Sequence, residues 1–345
     1  MAKAFRVGIT PDFDRSARGL LDPFWAQCFD SVPGLTYGRL RDVGRTATPE
    51  QIADVDAVFN LALAFTPQSF SGRDRLAVIA RWGVGYDMID VEACTANDVA
   101  LCITPDGVRR PVAEAELTML LALTKYLLPK DQHTRAGRWR DPLPPTGICL
   151  AGRVLGSVGL GNIGGELMRL VQPFGLKRRL AADPYIDPAV APTLGVELVD
   201  LDTLLRESDF VMVNCWLSKE TYHLIGRREL ALMKPTAFLV NCARGAIVDG
   251  AALAEVLAAR RIAGAGIDVF EREPPDPADP LLHLDNVIVA PHGIAWTEEI
   301  IRGSGLGACA AILAVSQGEV PKHVVNRAVL DRPGFQAKLD RYRAL

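Results

Sequence analysis

The chain has 345 residues, of which 49% are hydrophobic, and a formal net charge of −3. This length suffices for a large buried core and predicts two domains. The small negative charge gives no electrostatic reason to expect nucleic acid or an anionic membrane as a partner. We expect a cytoplasmic protein, because the sequence lacks an apolar run of about 18 residues and begins with a strand pattern instead of a signal peptide.

The first third of the chain alternates strand and helix patterns, which is typical of parallel sheets covered on both faces. Short strands, about four in number, are predicted at residues 5–9, 56–62, 76–80 and 100–104. A helix should begin at Thr48-Pro49-Glu50, where an N-cap residue precedes a proline at the first helical position. The long apolar segment 111–128 predicts a helix that leads out of the first domain.

The second part of the chain continues the same alternation. Residues 135–150, which contain Trp139, Pro142, Pro144 and Pro145, are interpreted as an ordered arm that holds a subunit partner. Further strands are predicted at 210–215, 237–242, 265–270 and 286–290, and a helix at 297–317 would return the chain to the first domain. The seven cysteines contain no Cys-x-x-Cys pair, so we expect reduced thiols and no metal site.

A glycine-rich turn after an apolar strand is the most specific pattern. Gly159 allows a sharp turn, Gly161 lets the backbone approach a pyrophosphate, and Gly164 lets a helix pack closely on its strand. Asn162 and Ile163 would present backbone N–H groups at the N-terminus of that helix, where an anion is favoured. The pattern therefore predicts a dinucleotide-binding site.

The acid that follows the second strand of this unit indicates which dinucleotide binds. Asp183 would accept hydrogen bonds from a ribose 2′-OH and repel a 2′-phosphate, so NAD is favoured over NADP. Arg178 and Arg179 lie close to this strand in sequence and could attract a 2′-phosphate, which keeps NADP as a minor alternative.

Three polar residues directly follow later strands. They are Arg244, Glu273 and His292. Ligands of doubly wound sheets bind outside the carboxyl ends of the strands, so these side chains are expected at the rim of the nucleotide site. Glu271 is a rival carboxylate to Glu273, whereas His223 and the other histidines are interpreted as surface or packing residues.

Several separate segments resemble the D-isomer-specific 2-hydroxyacid dehydrogenases. The segments are 81–90, 241–249, 268–274 and 290–297, together with the glycine turn, and their order and spacing also match. The resemblance covers roughly residues 50–327. It implies an NAD-dependent oxidoreductase that interconverts a small D-2-hydroxy acid and its 2-oxo acid, and a homodimer.

The resemblance also implies roles for individual residues. His292 would be the acid/base, Glu273 its carboxylate partner, and Arg244 the cation that orients the substrate. The N–H groups of Val84 and Gly85 would bind the substrate carboxylate, and Arg81 would add a charge. Asp268 would contact the nicotinamide carboxamide. Three further residues would line the cofactor, namely Cys215, Cys242 and Ala243.

The expected fold class is α/β, with two doubly wound parallel-sheet domains. A flavodoxin-like substrate domain would comprise residues 1–105 plus 297–345, and a Rossmann NAD-binding domain residues 106–296. Asn214-Cys215-Trp216 departs from the His-Cys-Pro that is more usual in the family. A nucleotide-sensing corepressor module is the alternative of a different class, but the short basic end at 331–345 does not support it. Formate is disfavoured as a substrate, because a formate dehydrogenase would carry glutamine in place of Glu273.

Overall fold

The computed structural model describes residues 5–16, 19–72, 74–140, 142 and 145–343. The chain divides into two compact units. One unit comprises Met1–Val108 and Thr297–Leu345, and the other comprises Arg109–Trp296. Each unit contains one parallel sheet with helices between its strands, so the α/β class and the parallel sheets predicted from the sequence are confirmed.

The sheet of the first unit has five strands in the described residues, in the order β2-β1-β3-β4-β5. They are β1 (Phe5–Ile9), β2 (Leu35–Arg39), β3 (Ala57–Asn60), β4 (Val78–Arg81) and β5 (Ala100–Cys102). This is the flavodoxin-like order. The sequence predicted about four of these strands and missed β2. That edge strand has a neighbour on one side only, and four of its five residues are exposed, so it lacks the apolar run of a central strand.

The helices in the first part of this unit are α1 (Asp12–Ser16), α2 (Asp22–Phe29) and α3 (Val91–Ala96). The helix predicted at Thr48 is wrong, because residues 49–54 form turns. The capping contact does form, since the Gln51 N–H donates to Thr48 Oγ1 over 3.3 Å. Only a few residues separate this cap from β3, however, and Asp56 is already held there by the Arg6 N–H. The segment therefore forms successive turns that lead directly into β3.

The long apolar helix begins earlier and ends earlier than the sequence predicts. It is α4 (Pro105–Thr124), and α5 (Leu127–Arg135) follows it after a break. Proline at the first position suits a helix start. The break falls at Tyr126, whose backbone has a left-handed φ of 51°. The predicted arm at 135–150 is only partly within the described residues, since 141, 143 and Pro144 lie outside them; Trp139 is exposed.

The sheet of the second unit has seven strands in the described residues, in the order β12-β11-β10-β9-β6-β7-β8. They are β6 (Val154–Val158), β7 (Arg178–Ala182), β8 (Glu197–Leu198), β9 (Phe210–Val213), β10 (Phe238–Asn241), β11 (Gly264–Ile267) and β12 (Val287–Val289). Their connections include α6 (Asn162–Leu170), α7 (Val190–Thr193), α8 (Leu201–Glu207), α9 (Arg227–Leu232) and α10 (Gly250–Ala258).

Both faces of this second sheet are covered. Val211 and Val213 pack into one apolar cluster and Phe210 and Met212 into another, because successive residues of a strand point to opposite faces. Val158 is in register with Ala182 on one side and with Val213 on the other. The residues that follow these three strands therefore lie side by side at one edge of the sheet, and this edge carries the candidate site.

The chain then returns to the first unit through α11 (Glu298–Ser316), which Thr297 caps, and ends in α12 (Pro333–Arg343). Among the described residues, α11 is the one helix whose length and composition alone would fit a membrane span. It packs against β3, β4 and α2, as a core helix does. In α12 the buried Lys338 donates to the carbonyls of Leu76, Asn97 and Asp98 over 2.7 to 2.9 Å, so the basic end of the chain is an integral part of this unit.

Candidate active site

The glycine turn lies between β6 and α6, and its three glycines are required for different reasons. Gly159 has a φ of +96°, and a Cβ there would lie 2.7 Å from the Cys215 nitrogen. A Cβ on Gly164 would lie 2.6 Å from the Gly159 carbonyl oxygen. Gly161, by contrast, is the N-cap of α6 and has no atom within 4 Å of its ideal Cβ position. The turn thus leaves open space in front of a helix N-terminus, which fits the pyrophosphate of a dinucleotide.

Asp183 directly follows β7 and lies beside this turn. Its Oδ2 accepts a hydrogen bond from the Leu160 N–H over 2.8 Å, and its Oδ1 accepts from the N–H groups of Tyr185 and Ile186 over 2.9 and 3.1 Å. These bonds hold the carboxylate at the edge of the sheet, where the sequence predicts a contact with ribose. They also give Asp183 a structural role that the sequence pattern did not indicate.

Arg178 and Arg179 are not placed where they could bind a 2′-phosphate. Arg178 and Arg179 lie at the opposite end of β7 from Asp183. Arg178 is paired with Glu197 and Glu207, and Arg179 donates to the Met168 carbonyl over 2.9 Å. Neither guanidinium is placed to attract a phosphate beside Asp183, so this reason for considering NADP is corrected.

Replacement of Asp183 tests the nucleotide preference. We expect Asp183→Ala to weaken NADH binding by about 10- to 100-fold, the effect of losing hydrogen bonds to a charged group, and to reduce the preference over NADPH. The measurement is kcat/KM for each cofactor. Asp187→Ala is the matched control, because this exposed acid lies in the same loop and caps only the Ala189 N–H. A wild-type protein that prefers NADPH would show the interpretation of Asp183 to be wrong.

Glu273 and His292 follow β11 and β12, and the structure brings them together. His292 Nδ1 lies 2.8 Å from Glu273 Oε2. The histidine has a left-handed φ of 53°, and its N–H donates to the Asp268 carbonyl oxygen over 2.7 Å. The Asp268 carboxylate accepts from the N–H groups of Gly293 and Ile294 over 3.0 and 3.3 Å, which fixes the turn that carries the imidazole. The buried Asp268 therefore supports His292 through both its backbone and its side chain.

The electrostatic setting keeps Glu273 ionised. Burial alone would raise its pKa, but the hydrogen bond and charge of His292, the Phe270 N–H and the charge of Arg244 together lower the pKa below its usual value. An ionised carboxylate only accepts hydrogen bonds, so Nδ1 of His292 is the donor and Nε2 is left for a substrate. Because the folded pKa is lowered, the pair stabilises the fold above about pH 4.3, the ordinary value for glutamate, and this contribution is lost as the pH falls through the folded pKa.

Arg244 follows β10 and lies close to the same loop. The buried Asn241 holds its turn, because Nδ2 donates to the Arg244 carbonyl oxygen over 2.9 Å and Oδ1 accepts from the Ala243 N–H over 3.1 Å. The next residue, Gly245, would place a Cβ 2.0 Å from the Phe270 carbonyl carbon. Glycine is thus required where the loops after β10 and β11 touch. This contact places the Arg244 loop against the loop that carries Glu273.

The rival carboxylate has a different partner, which is His223. Glu271 Oε1 accepts from the Gly250 N–H over 2.8 Å, and its Oε2 lies 3.0 Å from His223 Nε2. His223 is therefore one half of a second His–Glu pair and does more than pack on the surface. Since the His223 N–H also donates to the Ala246 carbonyl, the pair ties the Glu273 loop to the segment that follows Arg244.

Cys215 and Cys242 are neutral thiols. Burial raises the pKa of Cys215 to about 11 and that of Cys242 well above its usual value. All seven cysteines of the chain are free. Among the described residues, no cluster of His, Cys, Asp or Glu is arranged to hold a metal ion. Cys215, Cys242 and Ala243 follow strands β9 and β10, so they flank the candidate site by position.

The first unit carries a separate candidate loop after β4. Arg81 ends this strand, and its Nε donates to the Gly85 carbonyl oxygen over 2.7 Å. Gly83 has a φ of +120° and lies under the guanidinium, since a Cβ there would be 2.4 Å from Nη1. Within the described part of the chain, the N–H groups of Val84 and Gly85 have no hydrogen-bond acceptor. The loop thus combines a cation with two available donors, which suits a small anion.

Fold and site together define an α/β protein with a dinucleotide turn and a His–carboxylate pair, and comparisons with known proteins agree. Residues 117–293 match the family described as D-isomer specific 2-hydroxyacid dehydrogenase, NAD binding domain. A glyoxylate reductase of Thermococcus onnurineus is 40% identical over 304 residues, which cover 86% of this chain and 90% of the relative.

Solved structures give the same result. A glyoxylate reductase from Paecilomyes thermophila has a TM-score of 0.79 at 27% identity and covers 94% of this chain and 99% of its own. A D-lactate dehydrogenase from Aquifex aeolicus, solved with NAD and lactic acid, has a TM-score of 0.79 at 25% identity and covers 91% and 96%. The chain belongs to the D-isomer specific 2-hydroxyacid dehydrogenase family. It is accordingly an NAD(P)-dependent 2-hydroxyacid dehydrogenase with an NAD-binding domain.

Proposed function

We propose that the protein reduces a small 2-oxo acid to the D-2-hydroxy acid with NADH, and catalyses the reverse reaction with NAD. The observation that carries this proposal is the hydrogen bond of 2.8 Å between His292 Nδ1 and Glu273 Oε2, beside Arg244 and at the same sheet edge as the glycine turn. NADH, when bound there, supplies the hydride. The remaining tasks, which are proton transfer and substrate orientation, fall to side chains of the protein.

His292 is the proposed acid/base. As hydride reaches C2 of the oxo acid, negative charge develops on the carbonyl oxygen and has to be neutralised by a proton. The Nε2 atom of His292 is suited to give this proton, because Nδ1 is engaged with Glu273. The ionised carboxylate orients the ring. In the oxidative direction the neutral ring takes the hydroxyl proton, so oxidation should be favoured by rising pH and reduction by falling pH.

Arg244 is the proposed substrate-orienting cation. Its planar guanidinium can hold the carbonyl oxygen and one carboxylate oxygen together, which aligns C2 for hydride transfer. The loop with Arg81, Val84 and Gly85 is proposed to bind the substrate carboxylate through its N–H groups and its charge. Asp268 is proposed to contact the nicotinamide carboxamide, and Asp183 the ribose. Three residues, Cys215, Cys242 and Ala243, are proposed to line the cofactor.

The proposed substrates are glyoxylate and the similarly small hydroxypyruvate. Support comes from relatives that are 38% and 40% identical to this chain and are named glyoxylate reductases. The chemistry of the proposed site, which recognises a carboxylate and its neighbouring oxygen, also suits these small acids. The cytoplasmic location and the homodimer stay predictions. The exposed Leu127, Leu128 and Trp139 in the second unit support the dimer, because such apolar side chains on one stretch often mark an interface.

The experiment that tests this function is a reductase assay. Purified protein is mixed with NADH and, in turn, glyoxylate, hydroxypyruvate, pyruvate and a 2-oxo acid with a long side chain. We expect NADH oxidation, followed by its absorbance, to be fastest with the two smallest polar acids. Protein that binds NADH but oxidises it with none of the acids would contradict the proposed function and would favour a nucleotide-sensing role.

A further inference from the structure

Glu116 is a buried carboxyl group that the proposed reaction does not use. It lies on α4, three residues after the buried Ala113 and four before the buried Leu120, so all three share one face of the helix. Only 1% of the surface of Glu116 is exposed. An acid on the apolar face of a core helix is costly unless its polar atoms have partners. The partner of Glu116 is Asn214, which follows β9 and also contacts the segment of the glycine turn.

A chain of hydrogen bonds connects Glu116 to that turn. Asn214 Nδ2 donates to Glu116 Oε2 over 3.3 Å and to Ser157 Oγ over 3.1 Å. Ser157 Oγ in turn donates to the Gly159 carbonyl oxygen over 2.6 Å. A Cβ on Gly164 would lie 3.1 Å from the same Ser157 Oγ. The bonds therefore run directly beneath the first and third glycines.

Burial sets the ionisation of this group. It raises the pKa of Glu116 to about 8, and the hydrogen bond from Asn214 offsets only part of that effect. Among the neighbouring titratable groups is the thiol of Cys242, whose pKa burial also raises and on which the carboxyl group of Asp268 acts as well. Charge on Glu116 further raises the pKa of Cys242, so that thiol stays neutral. With a pKa of about 8, Glu116 is mostly uncharged at pH 7 and gains a negative charge at alkaline pH.

We propose that Glu116 is a positioning residue of the dinucleotide site: as an uncharged carboxyl group it anchors Asn214 and the glycine turn, and its ionisation weakens binding of the cofactor's pyrophosphate. The inference rests on the proposed function in one respect, namely that this turn binds NADH. A buried negative charge near a bound dianion is poorly screened and repels it. By linkage, NADH binding must then raise the affinity of Glu116 for its proton, so the protein takes up protons on binding near pH 8.

Calorimetric titration with NADH between pH 7 and pH 9.5 tests the inference, with buffers of different ionisation heats at each pH. For the wild type we expect the affinity for NADH to fall by about tenfold over this range and protons to be taken up near pH 8. A tenfold fall corresponds to a Glu116 pKa that is about one unit higher in the NADH complex than in the free protein. Glu116→Gln keeps an acceptor for Asn214 but has no charge at any pH. Its affinity should stay within about threefold of the wild type at pH 7 and should not change with pH.

Two further variants separate a structural role from the proposed one. Glu114→Gln is the matched control, because Glu114 is an exposed acid on the same helix, paired with Arg110; it should keep the wild-type pH profile. Glu116→Ala removes the acceptor and should lower affinity at pH 7 as well, which Glu116→Gln should not. A wild-type affinity that is flat with pH, or a fall that persists in Glu116→Gln, overturns the inference. A wild type that binds no NADH at any pH would refute the proposed cofactor site itself.

Discussion

Replacement of His292 by alanine should lower turnover by about 10²- to 10⁴-fold, the usual contribution of a general acid/base, while NADH affinity stays unchanged. The imidazole follows β12, its Nδ1 is bonded to Glu273, and its loss removes the proton donor for the developing alkoxide. The nucleotide turn after β6 belongs to another segment and is untouched. The measurements are single-turnover NADH oxidation with glyoxylate and, separately, an NADH fluorescence titration.

His223→Ala is the matched control for this experiment. It also removes an imidazole that is bonded to a glutamate of the same loop, but this glutamate is Glu271. We expect a loss of less than about tenfold, because the pair positions the loop and has no proposed contact with substrate. Turnover of His292→Ala within tenfold of the wild type would reject the acid/base role, as would a parallel loss of NADH affinity.

Replacement of Arg244 by lysine should lower kcat/KM by about 10²- to 10³-fold, although the charge is kept. This range is that of losing one oriented donor to a developing oxyanion. A guanidinium offers a rigid planar fork, whereas an ammonium group is a point charge on a flexible stem. The Arg244 turn is held by Asn241, so the backbone should keep its position in the variant. The measurement is kcat/KM for the best 2-oxo acid, with the NADH dissociation constant determined in parallel.

Arg272→Lys is the control for charge and location. Arg272 is exposed and lies in the Glu273 loop, so the same substitution there should change kcat/KM by less than about twofold. If Arg244→Lys retained more than a third of the wild-type kcat/KM, the proposal that the planar guanidinium orients the substrate would be wrong.

Local patterns were sufficient to predict the parts of the site that depend on strand ends. The glycine turn, Asp183 and the residues after β10, β11 and β12 all follow apolar runs, and a parallel sheet necessarily brings the carboxyl ends of its strands to one edge. From the sequence, Glu273 was preferred over Glu271 as the partner of His292 only because of its spacing within the family motif. The hydrogen bond to His292 supplies a physical distinction between the two acids.

Contacts between distant segments could not be predicted in this way. The Glu271–His223 pair spans 48 residues and the Glu116–Asn214 bond 98 residues. An acid within the apolar run of α4 was the one available signal for Glu116, and it indicates burial without naming a partner. The missed strand β2 and the absent helix at Thr48 have a common cause, since each depends on its neighbours more than on its own sequence pattern.

Tracing of the transferred hydrogen tests the central claim most directly. Wild-type protein is incubated with hydroxypyruvate and with NADH that carries deuterium at both C4 positions of the nicotinamide, and the product is analysed by NMR and by chiral chromatography. The account predicts a D-2-hydroxy acid with deuterium at C2. An L product, or a product without deuterium at C2, would contradict direct hydride transfer at a site built from Arg244, Glu273 and His292.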